Sequence, residues 1–443
     1  MNQSPDQTAS EGERKIGFWK CWSISVGVMI GSGVFMLPAV LAPYGSISFL
    51  GWLLTSLGAI VIALTLGRLA SRTDKSGGFY VYAGEAFGPL VGFIVGWSYW
   101  LSILFAVPAI AVAFSGYAGS VVPAFGAGPA VQASVAAGLI VFLTGVNMRG
   151  LGAAALAQLV MTLLKIVPLV VIVALALFAG DPKNIPPFNP QSTPPMEALA
   201  ATALLTMWAF IGIEAGVVPA GDVVDAKRTV PRAIVTATLS VAALYIASTA
   251  AVMMLVPVET LRVSEAPFAD AAAKLGAFGG PMIAIGALIS TAGSANGNIL
   301  LSGQMPAAAA RDGTAPAVFA RVNKGHAPTA ALLLSSLIAI VLIALNYSGG
   351  LVKAFTFLIS MSTLATLLPY GVSALAELRH SLRSGRGWSM LAIIALVYAV
   401  IAIAGAGMSS LLWGAVLLAA GLPVFYGTKF IRSRRGDGGG DAS

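Results

Sequence analysis

Residues 89–148, PLVGFIVGWSYWLSILFAVPAIAVAFSGYAGSVVPAFGAGPAVQASVAAGLIVFLTGVNM, contain no Asp, Glu, Lys or Arg. A helix needs about 20 predominantly apolar residues to cross the hydrocarbon core of a bilayer, so this stretch holds two crossings. Residues 233–258, 275–310 and 387–428 are equally free of charge, and the last again has room for two. The whole chain agrees: 58% of its 443 residues are hydrophobic and 9% are charged, against roughly 25% charged in soluble globular domains. So few charges cannot cover a water-facing globule of this size, and so apolar a chain cannot stay solvated as a disordered one. The sequence specifies a polytopic α-helical membrane protein.

Working outward from 89–148 predicts twelve spans, at 18–43, 47–68, 89–117, 128–147, 154–180, 198–220, 232–257, 280–304, 329–346, 351–376, 388–406 and 408–428. The basic residues set their direction. With both termini in the cytoplasm, twenty of the 25 Lys and Arg fall on the cytoplasmic side, among them Arg14, Arg72, Arg149, Lys227, Arg311, Arg321, Lys324, Arg379 and the Lys429–Arg435 cluster. The opposite loops hold Lys183, Arg262, Lys274 and Lys353, and Lys165 lies inside a span. Such a bias is the positive-inside signature. It accounts for the net charge of +8 without a nucleic-acid partner. The N-terminus lacks the apolar core of a signal peptide, and the expected location is the cell inner (plasma) membrane, multi-pass.

Chemistry that needs soft ligands is excluded by count. One cysteine, Cys21, allows no internal disulfide, and His326 and His380 stand far apart in charged loops, so neither a metal site nor a cofactor is expected. An intramembrane enzyme would need clustered acid, base or nucleophile groups at depth. A channel would need a polar stripe or charged ring. The spans offer neither, and the loops hold no recognisable signalling domain.

Two spans are interrupted. The first reads Ile24-Ser25-Val26-Gly27-Val28-Met29-Ile30-Gly31-Ser32-Gly33-Val34-Phe35, and the sixth reads Trp208-Ala209-Phe210-Ile211-Gly212-Ile213-Glu214-Ala215-Gly216. Glycine costs about 1 kcal/mol in a helix interior relative to alanine, and breaking a helix in lipid is tolerated only where the freed groups line a cavity or meet a ligand. Glu214 adds a carboxylate, which costs about 2.5–3.5 kcal/mol at the bilayer centre. Interrupted helices at corresponding positions of two halves are the pattern of secondary transporters, whose half-helix ends offer N–H groups to a carboxylate and carbonyls to an ammonium. Lys165, about eleven residues into the fifth span, is the second charge at depth and is read as a tethered cation or proton carrier. Trp208, beside the sixth-span break, is read as a gate. Asn298 and Ser360 are the polar residues of the eighth and tenth spans kept as candidates.

These residues resemble the amino acid–polyamine–organocation superfamily of permeases. The likeness runs over nearly the whole chain and rests on Gly31-Ser32-Gly33 with Val34-Phe35-Met36-Leu37-Pro38, on Ser76-Gly77-Gly78-Phe79-Tyr80-Val81-Tyr82, on Phe210-Ile211-Gly212-Ile213-Glu214 and on Lys227-Arg228-Thr229-Val230-Pro231-Arg232-Ala233. The chain is most similar to the basic amino acid/polyamine antiporters, and overall to the arginine:agmatine exchangers, through Leu261-Arg262-Val263-Ser264, Pro267-Phe268 and Phe319-Ala320-Arg321-Val322-Asn323-Lys324.

The resemblance implies a 5+5 inverted repeat with discontinuous helices 1 and 6, plus two C-terminal helices. In residues this gives a cytoplasmic tail 1–17, a first repeat 18–180, an outer loop 181–197, a second repeat 198–379, helices 11–12 over 380–428 and a disordered cytoplasmic tail 429–443. It implies a homodimer and a small-molecule cargo of amino acids or amines, with protons as a candidate coupling ion. Substrate carboxylate would meet the Ser32 and Gly33 amides; the ammonium would meet carbonyls near Gly27 and around Trp208 and Ile211. The candidate binding set is Gly27, Val28, Met29, Ser32, Gly33, Ser102, Ile103, Val107, Trp208, Ile211, Asn298 and Ser360, with Lys165, Glu214 and Tyr99 for gating and coupling. Val28, Val107 and Asn298 depart from the exchangers, which carry asparagine, asparagine and tryptophan there around the guanidinium arm. Lys165 departs too, resembling the helix-5 lysine of sodium-independent permeases. The reading is an exchanger of amino acids, with arginine and agmatine as the type, working by alternating access; the alternative is a proton-linked or facilitative permease for neutral amino acids.

Overall fold

A computed structural model of the chain describes residues 17–31, 33–70, 79–149, 154–216, 226–324, 327–384 and 389–436. Among the described residues the regular structure is helical throughout, without strands. The helices are α1 (Phe18–Met29), α2 (Gly33–Leu41), α3 (Ile47–Ala70), α4 (Phe79–Phe87), α5 (Pro89–Val121), α6 (Pro129–Met148), α7 (Ala154–Ala179), α8 (Pro195–Met207), α9 (Ala226–Leu255), α10 (Val258–Leu261), α11 (Pro267–Ala272), α12 (Gly279–Arg311), α13 (Thr329–Asn346), α14 (Leu351–Ser384), α15 (Ser389–Ala404), α16 (Gly407–Ala419) and α17 (Gly421–Gly436). Pro89, Pro129, Pro195 and Pro267 each open a helix at its first position, where the missing N–H costs nothing and the fixed φ is already helical.

Eight helices among the described residues are long and apolar enough to cross a membrane, and α1 and α2 form a ninth if the bent pair is one span. Lys165–Ala179, Pro195–Phe210 and Ser389–Ala404 are shorter apolar helices. For one of these three the shortness has a local cause. The sixth stretch, read as 198–220, stops being an α-helix at Met207, where a 3₁₀ turn Trp208–Phe210 takes over. Elsewhere helices outrun their expected ends: α12 continues to Arg311 and α14 to Ser384.

Outward faces are apolar. Phe178 is 91% exposed, and Phe142, Leu57 and Leu345 are exposed on other helices. No aqueous surface tolerates such a band, and in lipid it is the ordinary exterior. Inside, α5 is the axis. It packs against α12, α14, α4 and α6 and is buried almost without interruption from Leu101 to Ala113. A second group forms where α3 lies against α8 and α9 and α1 lies against α9 and α7. An aromatic cluster locks that group, with Trp52 of α3 5.5 Å from Tyr245 of α9, and Phe210 6.0 Å from Trp52.

Packing between helices relies on close backbone approach, as is common where lipid supplies no hydrophobic drive. Gly405, after α15, is flush with α8: a Cβ there would stand 2.0 Å from the Ala200 carbonyl oxygen. Gly405→Ala should therefore cost about 1–3 kcal/mol, the usual range for overpacking. The check is the midpoint of thermal unfolding in detergent, with Gly67→Ala, where an added methyl meets nothing within 4 Å, leaving it unchanged or raised.

Candidate functional site

The first break begins where α1 ends. Its last helical residue is Met29, Ile30 is extended, and α2 restarts at Gly33, the pair being bent by 44°. A helix end leaves backbone carbonyls without intrahelical partners, and the chain supplies several. Ile30 N–H donates to the Val26 carbonyl, Lys165 Nζ to the Gly27 carbonyl at 3.2 Å, and Tyr245 Oη to the Met29 carbonyl at 2.7 Å. Lys165, on α7, is 3% exposed and also reaches Ser294 Oγ of α12 at 3.5 Å. A buried ammonium thus bridges the C-terminal end of α1, whose carbonyl dipoles favour a cation, to α12.

The second break follows α8. Ile211 is extended, Gly212 has φ +108°, and a 3₁₀ turn Ile213–Gly216 continues the chain. Only glycine takes that φ without strain, and a Cβ there would also collide with Val28 Cγ1 at 2.6 Å. The Glu214 carboxylate folds back on this kink. It accepts the Gly212 N–H at 3.0 Å, the Tyr99 hydroxyl of α5 at 2.9 Å and the Tyr370 hydroxyl of α14 at 2.7 Å. Phe79 packs edge-on against both tyrosines, 5.1 and 5.5 Å away.

The two breaks touch. Val28 meets Gly212, and a Cβ on Gly33 would stand 2.8 Å from Trp208 Cδ1 and 3.0 Å from its Nε1. The indole therefore lies across the start of α2. Its N–H is buried without a hydrogen-bond partner among the described residues, a cost of about 1–3 kcal/mol. An orphan donor beside a helix N-terminus favours a hydrogen-bond acceptor or an anion there.

Most of the sequence candidates come together here. Gly27, Val28, Met29, Gly33, Trp208, Ile211, Lys165, Glu214 and Tyr99 all belong to the two breaks or the groups closing them. Asn298 joins indirectly, its Nδ2 donating to the carbonyl of Ser294, which Lys165 touches. Ser102 gives its hydroxyl to the Tyr99 carbonyl, one helical turn back. Ile103 and Val107 are buried in the packed interior of α5, and Ser360 spends its hydroxyl on the Thr356 carbonyl. Ser32 and His326 lie outside the described residues.

Sequence reasoning did not reach Tyr245 and Tyr370. A span tyrosine is as often belt or filler, and only its partner marks it. Glu377 was also missed. Lying one residue past the predicted end of the tenth span, it sits instead within α14, where its nearly inaccessible carboxylate pairs with Arg68 of α3 at 3.0 Å and accepts Ser381 Oγ at 2.8 Å.

A multi-pass helical membrane protein with two facing half-helix ends at depth has the construction of a transporter. The chain belongs to the amino acid permease family, whose pattern matches residues 16–426. It is 30% identical to the cadaverine/lysine antiporter of Escherichia coli (strain K12), over 94% of this chain and 95% of that one. It is 31% identical to a putative arginine/ornithine antiporter of Bacillus subtilis (strain 168), over 96% and 100%. To the putrescine transporter PotE of Escherichia coli (strain K12) it is 27% identical, over 93% and 95%.

The grip on Glu214 yields a prediction. Tyr370→Phe removes one hydrogen bond to a carboxylate, worth about 1.5–3 kcal/mol for a charged group. It should lower the thermal midpoint in detergent, Tyr99→Phe should cost a similar amount, and the double variant should lose more than the sum, because the hydroxyls serve the two oxygens of one carboxylate and losing both leaves it only the Gly212 N–H.

Proposed function

We propose that the chain exchanges basic amino acids or their amines across the cell inner membrane, by alternating access around the two breaks. The observation that carries the reading is the contact of Gly33 with Trp208 and of Val28 with Gly212. Those contacts bring both ends of the first break against the second, which supports a site where the start of α2 would meet the carboxylate of an amino acid and the end of α1, beside the Lys165 and Tyr245 caps, its ammonium. The orphan Trp208 N–H adds a donor on the carboxylate side. Relatives bearing lysine, cadaverine, arginine, ornithine and putrescine in their names support basic cargo. In this reading Gly27, Met29, Ser32, Gly33, Trp208 and Ile211 hold the α-amino and carboxylate groups; Val28, Ser102, Ile103, Val107, Asn298 and Ser360 surround the side chain. Glu214 with Tyr99 couples the breaks to the α5–α14 scaffold.

The order of the helices supports the twelve-span reading. The eight long helices, the bent pair and the three shorter apolar helices fall one to each of the twelve predicted stretches. The 5+5 repeat is supported by the grouping of helices, since α1 and α3 gather with α8 and α9, while α5 and α6 gather with α12 and α13. Each group takes matching members from the two halves. Cytoplasmic termini follow from the distribution of Lys and Arg. A homodimer is proposed on the resemblance alone.

A second reading, a proton-linked permease for neutral amino acids, is favoured by one observation. Lys165 occupies the end of α1 with its own ammonium, the position a coupling cation would fill.

Counterflow in proteoliposomes distinguishes the two. Vesicles loaded with lysine or arginine should accumulate labelled arginine, agmatine, lysine or putrescine, and alanine or leucine should not drive it. Movement of alanine and leucine alone would favour the second reading, and movement of no amino acid or amine would end both. Lys165→Ala should slow a pure exchanger while leaving it pH-independent, whereas in a proton-linked permease it should abolish the proton dependence of uptake.

A further inference from the structure

A cavity of about 310 Å³, lined by no residue of either break, lies between the first turns of α5, the last turns of α12, the start of α13 and α17. That volume is at the lower end of the roughly 300–1,000 Å³ of ligand sites. Its walls are Phe93, Trp97 and Trp100 on one side and Met305, Pro306 and Ala309 on the other. The indoles are fixed in place. Trp97 Nε1 donates to the Leu417 carbonyl at 2.9 Å and Trp100 Nε1 to the Ser302 carbonyl at 3.0 Å, so both rings present apolar faces. Gly96 keeps the floor open, because the nearest atom to a Cβ there is Tyr80 Cβ at 3.5 Å.

Two features say what such a crevice takes. First, it is continuous with the lipid-facing surface. Leu334 lines it and is itself exposed, as are Leu333 and Leu337 on the same helix and Leu301 on α12. An apolar chain can enter sideways from the bilayer without crossing water. Second, its polar end is a carboxylate, and the residue before it in sequence is an exposed arginine. Asp312 lines the mouth and accepts the Tyr80 hydroxyl at 2.9 Å, and the exposed Arg311 precedes it. Burial, the hydrogen bond and the negative charge of Asp312 push the Tyr80 hydroxyl up to about 12, so it remains a donor that orients the carboxylate. This end of the molecule bears most of the Lys and Arg, the cytoplasmic side by the charge rule.

We propose that this crevice is a phospholipid site, taking one acyl chain between the α5 and α12 walls and a zwitterionic phosphoethanolamine headgroup at the Arg311–Asp312 mouth. The phosphate pairs with the Arg311 guanidinium, and the primary ammonium donates to Asp312. An anionic phosphatidylglycerol would meet the Asp312 carboxylate with no ammonium, and a phosphatidylcholine would offer that carboxylate no N–H. The bound chain would fill the gap between α5, α12 and the final helix, and the headgroup would sit on the Tyr80–Asp312 bond that joins α4 to the end of α12.

The test is native mass spectrometry of the full-length protein, delipidated in detergent and titrated with dioleoyl phosphatidylethanolamine, phosphatidylcholine and phosphatidylglycerol. The expected result is one tightly held phosphatidylethanolamine, retained at least tenfold better than either competitor. Asp312→Asn should erase that preference, and Gly96→Leu, which fills the floor, should reduce retention of all three. Ala309→Leu fills the crevice from the opposite wall should the first variant fail to fold. Equal retention of phosphatidylglycerol and phosphatidylethanolamine would overturn the headgroup assignment. So would displacement of the lipid by equimolar dodecylamine, which lacks a phosphate. Undiminished retention in a folded crevice-filling variant would overturn the site itself.

Discussion

A helix interrupted in hydrocarbon strands backbone groups that water cannot reach, and each unsatisfied group there costs several kcal/mol. The structure is organised around meeting that demand twice. At the end of α1 the freed carbonyls are taken by a backbone amide, a lysine and a tyrosine, from α1's own continuation, α7 and α9. At the end of α8 the kink at Gly212 is held by the carboxylate of Glu214, which in turn needs α5 and α14 to supply hydroxyls. α5, α7, α9 and α14 each supply a side chain to one of the breaks, so the capping groups tie these helices to the centre.

The same arrangement gives the breaks a mechanical relation to the rest of the molecule. Val28 lies against Gly212 and Trp208 against Gly33 closely enough that a Cβ on either glycine would collide, so only glycine fits at those two points of contact. Glu214 ties them to the α5–α14 scaffold through charge-assisted hydrogen bonds, which are strong yet can exchange partners without covalent change. The Trp208 N–H, beside the start of α2, is buried without a hydrogen-bond partner among the described residues.

How much of this was legible in the chain varies by residue. The spans were legible because an apolar run of that length is stable only with hydrocarbon around it. The breaks were legible because glycine pairs and a carboxylate are costly there, and cost is a signal. Glu377 was not, since an acid one residue from a predicted span end reads as a loop residue until the helix is seen to continue and Arg68 to meet it. Tyr245 and Tyr370 left no trace either, because a hydroxyl on an aromatic ring fits core, belt or site equally well. Met207 as the end of α8 was hidden by the unbroken apolar character of Met207–Ile211, which hydropathy alone cannot divide.

By itself the sequence determined the solvent, the number of apolar stretches and the two places where a helix would fail. Those are properties of composition and local order: transfer free energy sums along a segment, and a glycine weakens its helix whatever stands beside it. Only the tertiary structure decided which carbonyl Lys165 would cap, that Glu214 would gather donors from three elements, and that the breaks would meet face to face. Those depend on directional contacts a few ångströms long between residues far apart in the chain, such as Gly27 with Lys165 and Tyr99 with Glu214, and no local pattern carries that information.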